Sequence, residues 1–194
     1  MNKLFILSPF EENSMLKKMD KKFSAQIKKT APTRLDIEFI LEGDLSQSQI
    51  KEPSSGAIVW GSDLWKETCF ELFLAFPGTR EYWEWNVSPT GQVCSYKLSD
   101  YREHEPVDAL MKDSMAGVMT KSFLKSPTRL SISFEINLSS DPKLEWNFLI
   151  HKECEVNLSA ILLDATGRST YWAPKHATSK ADFHQRSQWS RVAI

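Results

Sequence analysis

Glycine and cysteine are scarce in this chain, no long apolar run occurs, and neither sign of charge dominates. Its 194 residues hold seven glycines and three cysteines, with a formal net charge of -1. Scattered glycines leave no phosphate-cradling loop and no dinucleotide fingerprint, because both need clustered glycine where the backbone approaches a ligand. A Gly-x-Ser-x-Gly elbow is also missing, so the strand-to-helix serine nucleophile is excluded. Cys69, Cys94 and Cys154 are odd in number and far apart, which argues against a disulfide framework and a four-cysteine zinc site. A reducing, cytoplasmic setting is expected. Leu4-Phe5-Ile6-Leu7 is apolar, but Ser8-Pro9 and Glu11-Glu12 cut it far short of a secretory or membrane segment, so no membrane partner is expected. The near-neutral total supplies no broad field for nucleic acid, and Lys17-Lys18, Lys21-Lys22 and Lys28-Lys29 are expected to be a solvated surface.

What is present is a globular composition, 41% hydrophobic and 25% charged, with no linker, which fits one domain over residues 1–194. Its first part, Met1 to Ala31, carries the weakest pattern. There Met15, Leu16, Met19 and Phe23 follow Ser14 at helical offsets and predict a short helix. From Arg34 onward alternation takes over. Leu35, Ile37, Phe39 and Leu41 are expected to point inward from one strand, and Arg129 to Leu138 gives the cleanest alternating run of the chain. Both follow Pro-Thr, which predicts edge strands or strand starts. Short strands are also expected at Ala57 to Trp60, Gly117 to Leu124, Trp146 to Ile150, and Val156 to Leu163, the last forming a hairpin with Ser169 to Trp172 across Asp164 to Gly167. Asp108 to Met115 predicts one or two helical turns, with Met111, Met115 and Met119 as core filler or, alternatively, a haem-ligand stripe. About ten short strands with little helix predict an all-β antiparallel sandwich, jelly-roll-like.

The stretch Leu64 to Arg102 organises the rest. Phe70, Leu72, Leu74 and Phe76 fall on one face of an extended chain, and Glu71, Phe73 and Ala75 on the other. After the turn at Pro77-Gly78-Thr79, Trp83, Trp85 and Val87 share one face while Tyr82, Glu84 and Asn86 share the other. Ser88-Pro89-Thr90-Gly91 is a second turn, leading to a third strand from Val93 to Leu98. The result is a three-stranded meander whose second face gathers Glu71, Glu84, Asn86 and aromatic rings. A second dense stretch, Tyr171-Trp172 through His176 to Asp182-Phe183-His184, concentrates aromatic and titratable groups near the C-terminal end. The spacing of His176 and His184 matches no compact set of zinc ligands, so no metal is expected there.

Taken together, Leu64-Trp65-x3-Cys69-Phe70-Glu71-Leu72-Phe73-Leu74, Tyr82-x-Glu84-Trp85-Asn86-x-Ser88-Pro89-x-Gly91, Tyr96, Tyr101-Arg102, Tyr171-Trp172-Ala173-x2-His176 and Asp182-Phe183-His184 resemble the DOMON-like domains. These are akin to family 9 carbohydrate-binding modules, and the nearest group is short bacterial stand-alone proteins whose function is unassigned. The resemblance covers roughly Ala57 to Ile194. It implies a β-sandwich with a ligand pocket on one sheet, where two tryptophans, here Trp65 and Trp172, clamp a sugar ring.

Sugar recognition has a plain physical basis. The apolar C–H face of a sugar stacks on an aromatic ring, while carboxylates, amides and guanidinium groups orient its hydroxyls. The expected ligand-binding set is therefore Trp65, Glu71, Glu84, Asn86, Arg102, Tyr171, Trp172, His176, Asp182 and His184. The expected partner is a small molecule, a sugar, bound without catalysis and without a cofactor. Three alternatives stand beside it. Glu71 paired with Arg102, and both tryptophans in the core, would explain those residues without a ligand. The haem-binding relatives point to a haem or metal site. Glu71 and Glu84 facing one cleft would meet the first requirement of a glycosidase.

Overall fold

Alternating side chains become strands wherever one face can be buried, and the computed structural model places nearly every such run in one curled sheet. It describes residues 1–10, 21–53, 59–104, 117–177 and 180–194. The strands in chain order are β1 (Asn2–Pro9), β2 (Lys22–Ala31), β3 (Arg34–Glu42), β4 (Val59–Trp60), β5 (Cys69–Ala75), β6 (Tyr82–Val87), β7 (Gln92–Asp100), β8 (Glu103–His104), β9 (Val118–Ser126), β10 (Arg129–Asn137), β11 (Glu153–Leu163), β12 (Ser169–Ala173) and β13 (Ser190–Ala193). A helix, α1 (Pro142–Ile150), precedes β11.

Neighbours run β4-β7-β6-β5-β11-β12-β1-β2-β3-β10-β9, with β8 added to β7 and β13 to β11. Pairing is antiparallel throughout except that β4 lies parallel to β7. β1 is where the sheet folds over: Asn2 to Leu7 pair with β2, while Ser8 and Pro9 pair with β12. The two halves then pack face to face. Phe23 and Phe39 of one half lie 6.3 and 5.2 Å from Phe70 of the other. Phe70, Leu72, Leu74, Trp83, Trp85 and Val87 fill the interior beside Leu35, Ile37, Ile132 and Phe134. Each such side chain contributes about 1.5–3 kcal/mol on burial. The all-β sandwich expected from alternation is the architecture observed.

Several local expectations are corrected. Trp146 to Ile150 is not a strand but the second half of α1, because Asp141 caps the helix by accepting from the Lys143 and Leu144 amides and Pro142 presets its first turn. Leu144 and Phe148, four apart, are the side chains it buries. Phe23 belongs to β2, where Phe23, Ala25 and Ile27 alternate inward; the rest of the predicted N-terminal helix lies outside the described residues. Leu4 to Leu7 is part of β1, with Phe5 and Leu7 inward and Leu4 and Ile6 exposed. Of the two readings for β3 and β10, strand starts is the one observed: Pro32 and Pro127 sit in the turns that precede them, and both strands are internal, between β2 and β9. Met111 and Met115 lie outside the described residues, whereas Met119 lies on β9, far from β5 to β7 in the strand order. Among the described residues no helix is long and apolar enough to cross a membrane.

Candidate functional site

The second face of β5, β6, β7 and β11 forms the floor of an open cavity of about 700 Å³, with Lys180, Ala181, Phe183 and His184 along one side. Register builds its floor. Glu71 lies opposite Asn86 and Phe73 opposite Glu84, so the two carboxyls are diagonal neighbours on one face of adjacent strands. Tyr96 of β7 lies opposite Glu84, and Ser159 of β11 opposite Glu71. Phe73, Tyr96 and Ile161 line the cavity around the carboxyls, and Trp65, Tyr171 and Phe183 add aromatic wall. Arg102, His104, Lys180 and His184 bring polar groups to it.

Burial dominates the electrostatics. Glu71 and Glu84 are both almost fully buried, and loss of hydration raises both carboxyls far above the ordinary carboxylate range. Repulsion between them raises Glu71 further, while the Ser159 hydroxyl, donating to Glu71 at 3.0 Å, opposes the rise. Asn86 donates to Glu84 Oε1 at 2.7 Å and opposes the rise there, with Arg102 acting in the same direction on both. Such a pair titrates as a unit. Glu84 Oε2 is buried and has no hydrogen-bond partner.

His184 stays neutral beside them, since burial first and Arg102 second push its imidazole down to about 4. The Tyr82 hydroxyl oxygen accepts the Arg102 backbone N–H at 3.1 Å and lies 2.7 Å from His184 Nδ1. Nε2 lies 3.9 Å from the unpartnered Glu84 Oε2.

A clasp ties the segment around Asp182 to Tyr101 and Arg102. Asp182 accepts from the Tyr101 hydroxyl at 2.6 Å, from Arg102 Nη2 at 2.9 Å and from the His184 amide at 3.2 Å. Burial alone would raise the Asp182 carboxyl, yet these donors hold it below its ordinary value. Arg102 sits at φ 57, in the left-handed region that costs a non-glycine residue roughly 1–2 kcal/mol. Asp63, at φ 56 and also lining the cavity, starts the turn Leu64–Lys66 that presents Trp65. The described non-glycine residues at positive φ thus both belong to this site. Asp182→Ala is expected to lower stability by roughly 2 kcal/mol, since three donors lose one carboxylate; urea unfolding monitored by circular dichroism checks it.

The cavity brings together Trp65, Glu71, Glu84, Arg102, Tyr171 and His184 of the residues expected from sequence. Asp182 stands behind Arg102, and Asn86 lies under Glu84, fully buried. Two more, Trp172 and His176, lie away from it. Trp172 is 3% exposed and faces the sandwich interior, 5.6 Å from Phe23, so it is a core residue and not the second arm of a clamp. The reason is strand parity: Tyr171 pairs with Ile161 on the cavity face, and the next residue must point the other way. His176 is tied to the Ser8 carbonyl at 2.7 Å and packs on Phe10. Nor does Arg102 pair with Glu71; its carboxylate is Asp182. Phe73, Tyr96, Phe183 and Asp63 line the cavity although none belongs to the expected ligand-binding set; Phe73 was readable as the same-face neighbour of Glu71. Among the described residues no group of three or more His, Cys, Asp and Glu could hold a metal ion.

Comparison of the chain with protein-family models and with curated proteins yields no match. Among solved structures, the fold is similar to the crystal structure of a candidate carbohydrate-binding protein from Bacteroides uniformis, with a TM-score of 0.64 and 12% sequence identity. The superposition covers 98% of this chain and 85% of that one. At that identity the likeness establishes a shared fold, and the fold is that of a protein to which carbohydrate binding has been ascribed.

Proposed function

We propose that the cavity over Glu71 and Glu84 binds one small polyhydroxylated molecule, a sugar, without transforming it. The observation that carries this reading is Trp65: it is 47% exposed at a cavity whose floor holds the buried carboxyls of Glu71 and Glu84. An indole left in water beside hydrogen-bonding groups supplies the two halves of sugar recognition, a flat apolar face and orienting donors and acceptors. The likeness to a candidate carbohydrate-binding protein supports the same ligand class. Tyr171 and Phe183 widen the apolar wall, and Arg102 supplies guanidinium donors at the rim.

Titration of intrinsic fluorescence with a panel of mono- and disaccharides tests the proposal. A saturable change with at least one sugar is expected, and it should vanish in Trp65→Ala together with about 1–3 kcal/mol of binding free energy, the range of a stacked ring. Unchanged emission with every sugar would overturn the reading.

A second reading rests on a different observation: Glu71 and Glu84 face one cavity, as a glycosidase pair must. Repulsion between the carboxyls favours one protonated and one ionised, the starting state for acid and nucleophile. Release of nitrophenol from an aryl glycoside, abolished in Glu84→Gln, would favour catalysis over simple binding.

A further inference from the structure

The floor of the cavity carries more carboxyl groups than a neutral sugar needs. Hydroxyls are satisfied by amides, by other hydroxyls and by single carboxylates, but here two carboxyls lie on neighbouring positions of one buried face. Glu84 Oε2 has no partner at all, which for a group so deeply buried is costly unless something else meets it. The one imidazole that approaches it is 3.9 Å away, beyond hydrogen-bond reach. The guanidinium of Arg102 acts on both carboxyls through space, but its ion pair is with Asp182, and it does not reach Glu84 Oε2.

Resting on the sugar-binding reading, we propose that the ligand carries a protonated amino group, which sits between Glu71 and Glu84, so that the substrate class is an amino sugar or a comparably hydroxylated amine. An ammonium brings three donors and one positive charge. It would give Glu84 Oε2 its missing partner, relieve the repulsion between the carboxyls, and replace lost hydration with charge-assisted hydrogen bonds. The aromatic wall suits the same group, because rings such as those of Tyr96 and Tyr171 attract a cation as well as stack on a sugar, and Trp65 already holds the Lys66 ammonium 5.2 Å from its ring centre.

Isothermal titration calorimetry with matched pairs tests this: glucose against glucosamine, galactose against galactosamine, mannose against mannosamine, each with its N-acetyl form. In at least one pair the amino sugar is expected to bind about tenfold or more tighter than its neutral parent, and N-acetylation, which removes the charge, should erase the gain. Glu84→Gln, and separately Glu71→Gln, should bring the ratio of the two affinities toward one. Equal affinity of amino and neutral sugars, or an unchanged ratio in both variants, overturns the amine while leaving the sugar-binding proposal standing. Absence of binding by every member of the panel overturns both.

Discussion

Trp172→Ala is expected to destabilise the protein by about 3–5 kcal/mol, the loss typical of deleting a buried indole. The position concentrates that loss. Trp172 pairs with Ala160 on one side and with Pro9 on the other, at the corner where β1 passes from one half of the sandwich to the other. Its ring packs edge-on against Phe23, which in turn lies 6.1 Å from Phe39 and 6.3 Å from Phe70. Its Nε1–H is satisfied by Thr170 Oγ1 at 3.0 Å, so no ligand atom is needed to complete it. Alanine would leave a void among phenylalanines held by both halves of the sheet, a place that cannot easily collapse. Thermal unfolding should shift down by about 6–20 °C for a chain of this size. Below that transition sugar affinity should stay within a few-fold of the parent's, because the indole lies on the far side of β12. A large affinity loss with little change in stability would mean that Trp172 is a clamp after all.

Stability is expected to fall as the pH rises from 6.5 to 8, by on the order of 2 kcal/mol, because of the carboxyl pair. The sign follows from proton counting. Glu71 and Glu84 have folded-state affinities for protons raised above the ordinary value of 4.5, so the folded protein holds more protons than the unfolded chain. Their contribution is complete below about pH 4.5 and is lost as the pH climbs through the raised values. His184 acts oppositely. Its imidazole is pushed below 6.5, so its contribution is complete above 6.5 and is lost on acidification. Between 4.5 and 6.5 His184 offsets only one of the two carboxyls, so the fall with pH is shallower there; above 6.5 the carboxyls alone decide. Glu71→Gln, which imitates the protonated acid and can still meet Ser159, should flatten the slope and raise stability at pH 8. Chemical unfolding at half-unit pH steps measures both, and a slope identical in the variant would show that the pair is not buried and coupled as described.

Much of the fold was legible because strand parity is local. Phe70, Leu72 and Leu74 against Glu71 and Phe73, or Trp83 and Trp85 against Tyr82 and Glu84, need only their own neighbours to reveal two faces. The two halves of the floor follow from the same rule. Trp172 needed more, because parity in β12 can be tied to the cavity only through its register with β11, a pairing between segments that sequence does not specify. α1 was misread for another reason: Trp146 to Ile150 is a short run of the kind that fits a strand or a helix, and the deciding signal, Asp141-Pro142, lies outside it. β1 was hidden by its place at the sheet fold, where Leu4 and Ile6 alternate with Phe5 and Leu7 and are apolar on both faces. The clasp through Asp182 was legible as a cluster of residue types and not as a geometry, since Tyr101 and Arg102 lie 81 and 80 positions away.

The most direct measurement uses the indole N–H resonances of the seven tryptophans in a nitrogen–proton correlation spectrum during sugar titration. Trp65 and Trp146 are both exposed, yet Trp65 lines the cavity and Trp146 lies on α1. A saturable shift of the Trp65 signal, with those of Trp146 and Trp172 unmoved, is the predicted result. Movement of Trp146 alone, of Trp172 in place of Trp65, or of none of the seven would contradict a ligand seated over Glu71 and Glu84.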